Sequence, residues 1–266
     1  MLGSPAKPLW DHMPLRNLSL ALIAGCLLLA SPARAAEVTV RDGNTIQLGD
    51  ITYRLDGTDA PELDQTCIND QADPWTCGLD ARDALVRIIG GRTVRCDDLG
   101  PDKVYKKRHI GLCRIEGETA SLNQLLVRSG FALDFEPSAK GRFLQDEASA
   151  RDAKRGLWSG CFVAPEDFRM DTRDGALRGS ACRTDRDRQI RDALFPDDLA
   201  QPPSCNIKGK FAARARVTGN LGVYHLQGCP SYAGTTDPDR WFCSEDDALA
   251  AGFRRAFNCR PSAAAK

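Results

Sequence analysis

Eleven cysteines in 266 residues narrow what this chain can become. Cys26 lies inside an N-terminal apolar run, and ten follow it: Cys67, Cys77, Cys96, Cys113, Cys161, Cys182, Cys205, Cys229, Cys243 and Cys259. The run, Leu18 to Ala30, has Arg16 on its positive flank. Behind it stands Ala33-Arg34-Ala35, the small-x-small spacing that a signal peptidase accepts. Residues 1–35 are therefore expected to be a secretory signal, and an even cysteine count behind such a signal favours disulfides made in an oxidising compartment. The expected location is periplasmic or secreted. Ile23-Ala24-Gly25-Cys26 offers a lipidation box as the less favoured alternative. The run is shorter than the roughly 20 residues a bilayer span needs, and no later segment is apolar enough for one.

Basic and acidic side chains number 36 each. Losing residues 1–35 removes Lys7, Arg16 and Arg34 against Asp11 and leaves a net charge of −2. That balance excludes a protein that binds polyanions through global basicity, so any phosphate site must come from locally placed cations.

From Glu37 to Ile115 the pattern is mainly that of strands. Val38 and Val40 alternate with polar neighbours, Ile46 and Leu48 follow a Gly43-Asn44 turn, and Ile51, Tyr53 and Leu55 follow Gly49-Asp50. These predict a three-stranded meander, with further strands over 93–97 and 110–115. Ala81, Ala84, Leu85, Ile88 and Ile89 recur at helical spacing. Ser121 with Gln124 reads as a helix start that Gly130 closes, and a third helix is expected over 143–155, with Leu157 and Trp158 folding back as core anchors. The expected class is α+β: a five-stranded OB-type β-barrel with about three helices, plus a small C-terminal α+β module. Its expected divisions are the signal 1–35, the barrel domain 36–168, a linker 169–202 dense in Arg and Asp, and a cysteine-containing module 203–262.

Four clusters carry possible chemistry: Asp42-Gly43-Asn44-Thr45, Arg54 ahead of Asp59-Ala60-Pro61-Glu62, Lys106-Lys107-Arg108, and Ala153-Lys154-Arg155-Gly156-Leu157-Trp158. Taken singly, each has an ordinary explanation as a hairpin turn, a loop or a solvated face. Their order and spacing, with Arg54 and Asp59 five residues apart and Leu126-Val127-Arg128-Ser129-Gly130 at a helix end, resemble the staphylococcal nuclease (thermonuclease) family over residues 37–159.

The resemblance implies a nuclease that hydrolyses phosphodiester bonds of DNA or RNA by in-line attack of water. Arg54 and Arg108 match the two arginines that fork onto the equatorial oxygens as negative charge gathers there. Lysine lacks that planar, bidentate donor set. Glu62 matches the residue that positions or deprotonates the water. The resemblance also implies a Ca2+ ion held by Asn44, Asp59 and the Ala60 carbonyl. Two departures are visible: the second metal carboxylate of the family hairpin is Asn44 here, and the pocket tyrosines are replaced by charge near Lys106 and Glu136. The alternative is an OB-fold protein that binds nucleic acid with weak or lost catalysis. A monomer is expected.

Among the cysteines, Cys67 and Cys77 are expected to form a local disulfide bracing the loop after Glu62. Cys96 and Cys113 lie in strands that the resemblance pairs antiparallel, which makes a cross-strand disulfide plausible. In the module, Ser244 with Asp247 reads as a helix cap. His225, Cys229, Cys243 and Cys259 could form a Cys3His zinc site, but the absence of a CxxC pair and the export signal favour two disulfides.

Overall fold

A computed structural model describes Gly3 and residues 37–259. The apolar run, the lipidation box and the cleavage site lie outside the described residues. No described helix is long and apolar enough to cross a membrane.

The meander forms as its turn chemistry dictates. Strands β1 (Val38–Val40), β2 (Thr45–Leu48) and β3 (Ile51–Leu55) pair antiparallel, with Gly49 at a φ of 60° in the second turn. After a long excursion come β4 (Val94–Pro101) and β5 (Arg108–Ile115). β5 lies parallel to β3 and antiparallel to β4, so the mixed sheet runs β1-β2-β3-β5-β4. The expected barrel is not closed, for among the described residues no ladder joins β1 to β4. The outer edge explains this. β4 carries exposed Arg95, Asp97 and Asp98 and breaks register between Asp98 and Pro101, and charge and a bulge are what keep an edge strand from pairing.

Three helices cover the sheet. α1 (Cys77–Ile89) buries Ala81, Ala84, Leu85 and Ile89, and stops at Gly90 in the left-handed conformation. In α2 (Leu122–Ser129) the Ser121 hydroxyl accepts from the Gln124 amide at 3.1 Å, and Gly130 closes the C-terminus at a φ of 83°. α3 (Leu144–Asp152) is shorter than expected, because Lys154 and Gly156 both take positive φ. Leu157 and Trp158 then return to a buried cluster with Cys67, Cys77 and Phe162.

The stretch read as a linker is folded. Residues 162–163 pair with 177–178. Two helices, α4 (Pro165–Arg169) and α5 (Asp187–Leu194), flank a core of Val163, Phe168, Ile190, Leu194, Phe195 and Leu199. Its Arg and Asp residues hide a minimal helical repeat, Ile190 and Leu194 at i and i+4. The module that follows has four strands, β6 (Ile207–Phe211), β7 (Gly222–His225), β8 (Arg240–Phe242) and β9 (Phe253–Arg255), ordered β8-β6-β7-β9. Helix α6 (Glu245–Ala250) is capped by Ser244, whose hydroxyl accepts from the Asp247 amide.

All ten described cysteines are bonded: Cys67–Cys77, Cys96–Cys113, Cys161–Cys182, Cys205–Cys243 and Cys229–Cys259. Both sequence-expected pairs form, and the zinc alternative is removed because its three thiols are used. Five disulfides are consistent with an extracellular protein.

Candidate active site

Local backbone packing brings the hairpin, the Asp59–Glu62 loop and helix α1 together. A β-carbon on Gly43 would stand 2.7 Å from that of Ala60, and one on Gly78 would stand 1.7 Å from the Glu62 carbonyl oxygen. Only glycine at these positions lets the turn and the first turn of α1 press against the loop. The Cys67–Cys77 bond fixes the same corner.

Arg54, on β3, points toward Asp59, with 3.5 Å between Nη2 and Oδ1. Its guanidinium lies 5.7 Å from the Phe135 ring. Burial, and next the neighbouring Arg169, make this guanidinium less basic than usual. Arg108 opens β5 and is 8% exposed. Its Nε and Nη2 donate to Asp102 Oδ2 at 2.9 and 2.6 Å. Burial would raise the Asp102 carboxyl, but Arg108 and the Val104 and Tyr105 amides outweigh it and lower it. Lys106 and Lys107 are exposed.

Glu62 stands between two arginines that the sequence pattern does not single out. Arg169 Nε donates to Oε1 at 2.7 Å, and Arg240 Nη2 to Oε2 at 3.0 Å. Burial alone would raise the Glu62 carboxyl, yet these two cations hold it at about 2. Arg169 also donates to Asp59 Oδ1 at 2.6 Å, and Arg240 makes a forked contact with Asp64. Asp59, Arg169, Glu62, Arg240 and Asp64 thus form one chain of alternating charge. Arg169 ends α4 and Arg240 opens β8, 107 and 178 residues from Glu62. No spacing rule links them to it. Arg169 begins the Arg- and Asp-dense stretch read as a linker, and Arg240 lies in the module with no pattern to mark it.

The C-terminal module therefore forms one wall of the site. Arg54, Glu62 and Arg108 share a cavity of about 50 Å³ with Asp42, Asn44, Arg169, Arg240, Trp241 and Asp247. Arg41 donates to Ser244 and to Asp247 at 2.7 and 3.0 Å, the Trp241 amide donates to Asp64 at 2.7 Å, and the Tyr105 hydroxyl donates to Asp246.

Of the calcium ligands implied by the resemblance, the one carboxylate, Asp59, is otherwise engaged. Asp59 Oδ1 holds Arg169, and its Oδ2 accepts from the Glu166 amide at 2.9 Å. Asn44 Nδ2 donates to the Thr58 carbonyl at 2.9 Å. Among the described residues no three His, Cys, Asp or Glu side chains are grouped to hold a metal. A guanidinium bridges Asp59 and Glu62 where a cation is expected, so these residues, as arranged, do not fit a calcium ion.

Comparison with known proteins finds a matching family model and named relatives. Residues 52–160 match the family model described as staphylococcal nuclease homologue. The chain is 29% identical over 147 residues to the succinoglycan biosynthesis protein ExoI of Rhizobium meliloti (strain 1021), covering 53% of this chain and 75% of that protein. It is 33% identical over 123 residues to the probable staphylococcal-like nuclease CAN2 of Oryza sativa subsp. japonica, 46% of this chain and 30% of that one. With CAN3 of the same plant it is 32% identical over 123 residues, 46% of this chain and 29% of that one. This chain thus spans less than a third of either rice protein. Arg169 and Arg240 fall outside the residues 52–160 that the family model matches, whereas Arg54, Asp59, Glu62 and Arg108 fall inside. Residues 52–160 thus form a domain that matches the staphylococcal nuclease homologue family.

Proposed function

We propose that this protein is a nuclease hydrolysing phosphodiester bonds of DNA or RNA. The observation that carries this reading is the convergence of Arg54, Glu62 and Arg108 on one cavity from separate elements. Arg54 and Arg108 would hold the non-bridging oxygens of the scissile phosphate as their charge grows in the transition state. With Asp102 on Nε and Nη2, Arg108 presents its remaining nitrogen from a fixed guanidinium plane. Glu62 is ionised throughout the neutral range and weakly basic, which suits it to orienting the attacking water more than to taking its proton. No step is assigned to calcium, because Asp59, the one carboxylate of the implied set, is held by Arg169 and the Glu166 amide.

A second reading, binding of nucleic acid with weak or lost turnover, is favoured by the neutralisation of Glu62 between two arginines. One experiment separates them: the purified protein is incubated with single-stranded DNA and RNA, with calcium and then with chelator. Cleavage by the wild-type protein that Glu62→Gln abolishes supports the nuclease. Retention of both nucleic acids without cleavage supports the binding protein. Neither binding nor cleavage sinks both.

A further inference from the structure

Arg240 has an environment that the ion pairs alone leave unexplained. It is 2% exposed, lies 5.2 Å from the rings of both Phe168 and Phe242, and has Nε and Nη2 committed to Asp64 and Glu62. Its Nη1 is buried and donates to nothing. Across the interface Arg54 Nη2 is in the same state, 3.5 Å from Asp59 Oδ1 and not hydrogen-bonded to it. Of the buried side-chain atoms without a partner among the described residues, these two belong to the wall of the active-site cavity. A buried N–H without an acceptor is costly, and a charged one more so, so two in one cavity call for an acceptor that enters from outside.

We propose that Arg240 is an oxyanion-binding residue of this site, and that its Nη1 and Arg54 Nη2 are donors to a single phosphate-type group held between the nuclease-like domain and the C-terminal module. The size fits: about 50 Å³ accommodates such a group, whereas a site that encloses a whole drug-sized ligand runs to several hundred. The carboxylates on the wall do not compete for these nitrogens. Glu62 is taken by Arg169 and Arg240, Asp247 accepts from Arg41, and Asp42 accepts from the Asn44 amide. That the group is a nucleic-acid phosphate rests on the nuclease reading; the clamp itself does not.

The test is calorimetric titration of the full chain with inorganic phosphate at fixed ionic strength, on wild type, on Arg240→Lys and on the double variant Arg240→Gln/Asp64→Asn. The lysine keeps a cation beside Asp64 but lacks the second arm of the fork, and the double variant removes both buried charges together. Phosphate should bind the wild type and bind each folded variant about tenfold to a hundredfold more weakly, the effect of losing one charge-assisted bond. Wild-type affinity in either folded variant, or no binding by the wild type, overturns the proposal. Cleavage of single-stranded DNA is followed in parallel. Phosphate binding that depends on Arg240 in a protein that cuts nothing keeps the clamp and discards the nuclease. Cleavage with unchanged KM in Arg240→Lys discards the clamp and keeps the nuclease.

Discussion

The two halves of the site hold their arginines differently. In the family domain, Arg54 reaches a single carboxylate at 3.5 Å, and its side chain is 20% exposed. In the module, Arg240 is stacked between two rings, forked onto Asp64 and 2% exposed. A loosely paired guanidinium can move to meet a ligand, whereas a locked one offers a fixed donor and cannot withdraw. The module is therefore a built wall of the site, held by buried charge, and not a flap resting on it.

The comparison breaks first at Asp64. Asp64→Ala strands Arg240 without its principal counter-ion and should cost roughly 3–5 kcal/mol of stability. Arg54→Ala, by contrast, should cost about 1 kcal/mol, because its Nη2 makes no hydrogen bond and Asp59 keeps Arg169 and the Glu166 amide as partners. Urea unfolding of both variants checks this, and equal losses would show that the two arginines are held alike.

Catalysis should rank next. Glu62→Gln or Arg108→Ala is expected to lower turnover at least about a hundredfold, the effect of removing a positioning carboxylate or a charge-stabilising donor. Initial rates on single-stranded DNA, with circular dichroism as the control for folding, decide it. Wild-type rates in either would remove that residue from the site.

The charge chain also sets an acid limit. Glu62 is depressed to about 2 from an ordinary 4.5, so its contribution is complete above pH 4.5 and drains away as pH falls toward 2. The most it can supply is about 3 kcal/mol, since each pH unit by which the carboxyl is depressed corresponds to roughly 1.4 kcal/mol. Wild-type stability should fall more steeply than that of Glu62→Gln between pH 4.5 and 3 in urea titrations. Parallel curves would mean that the two arginines do not grip the carboxylate in solution.

The smallest effect expected is at Asn44. With Asp59 engaged by Arg169 and the Glu166 amide, a carboxylate at Asn44 has no second free carboxylate to complete a calcium site. Asn44→Asp alone should leave activity as insensitive to added calcium as in the wild type. Adding Arg169→Met should create a calcium response by freeing Asp59. A calcium-dependent rate in the single variant, followed on single-stranded DNA, would show that Arg169 yields to the metal.

What was legible in the sequence was what lies close along the chain. Arg54 and Asp59 are five residues apart across one turn, Ser121 and Gly130 bracket one helix, and Gly49 marks one hairpin. Each signal is local, and each element forms. Arg169 and Arg240 were not legible, because their role comes from contacts across more than a hundred residues, and an arginine among aspartates looks the same on a solvated face as in a buried chain of charge. Barrel closure failed for a related reason. The meander specifies its own pairings, but the outer edge of β4 depends on charges whose surroundings the pattern does not reveal.

The order of the disulfides bears on how the chain reaches this state. The first three bonds each join a cysteine to the next one along the chain, and the last two interleave, Cys205 with Cys243 and Cys229 with Cys259. Oxidation in order of synthesis would make the first three correctly. The same rule would misjoin Cys205 to Cys229 and Cys243 to Cys259, and escape from that pairing requires thiol exchange, a slow step without an isomerase. The half of the molecule that supplies Arg240 is thus the half whose maturation needs proofreading, and completion of the site is tied to the last covalent events in the life of the nascent chain.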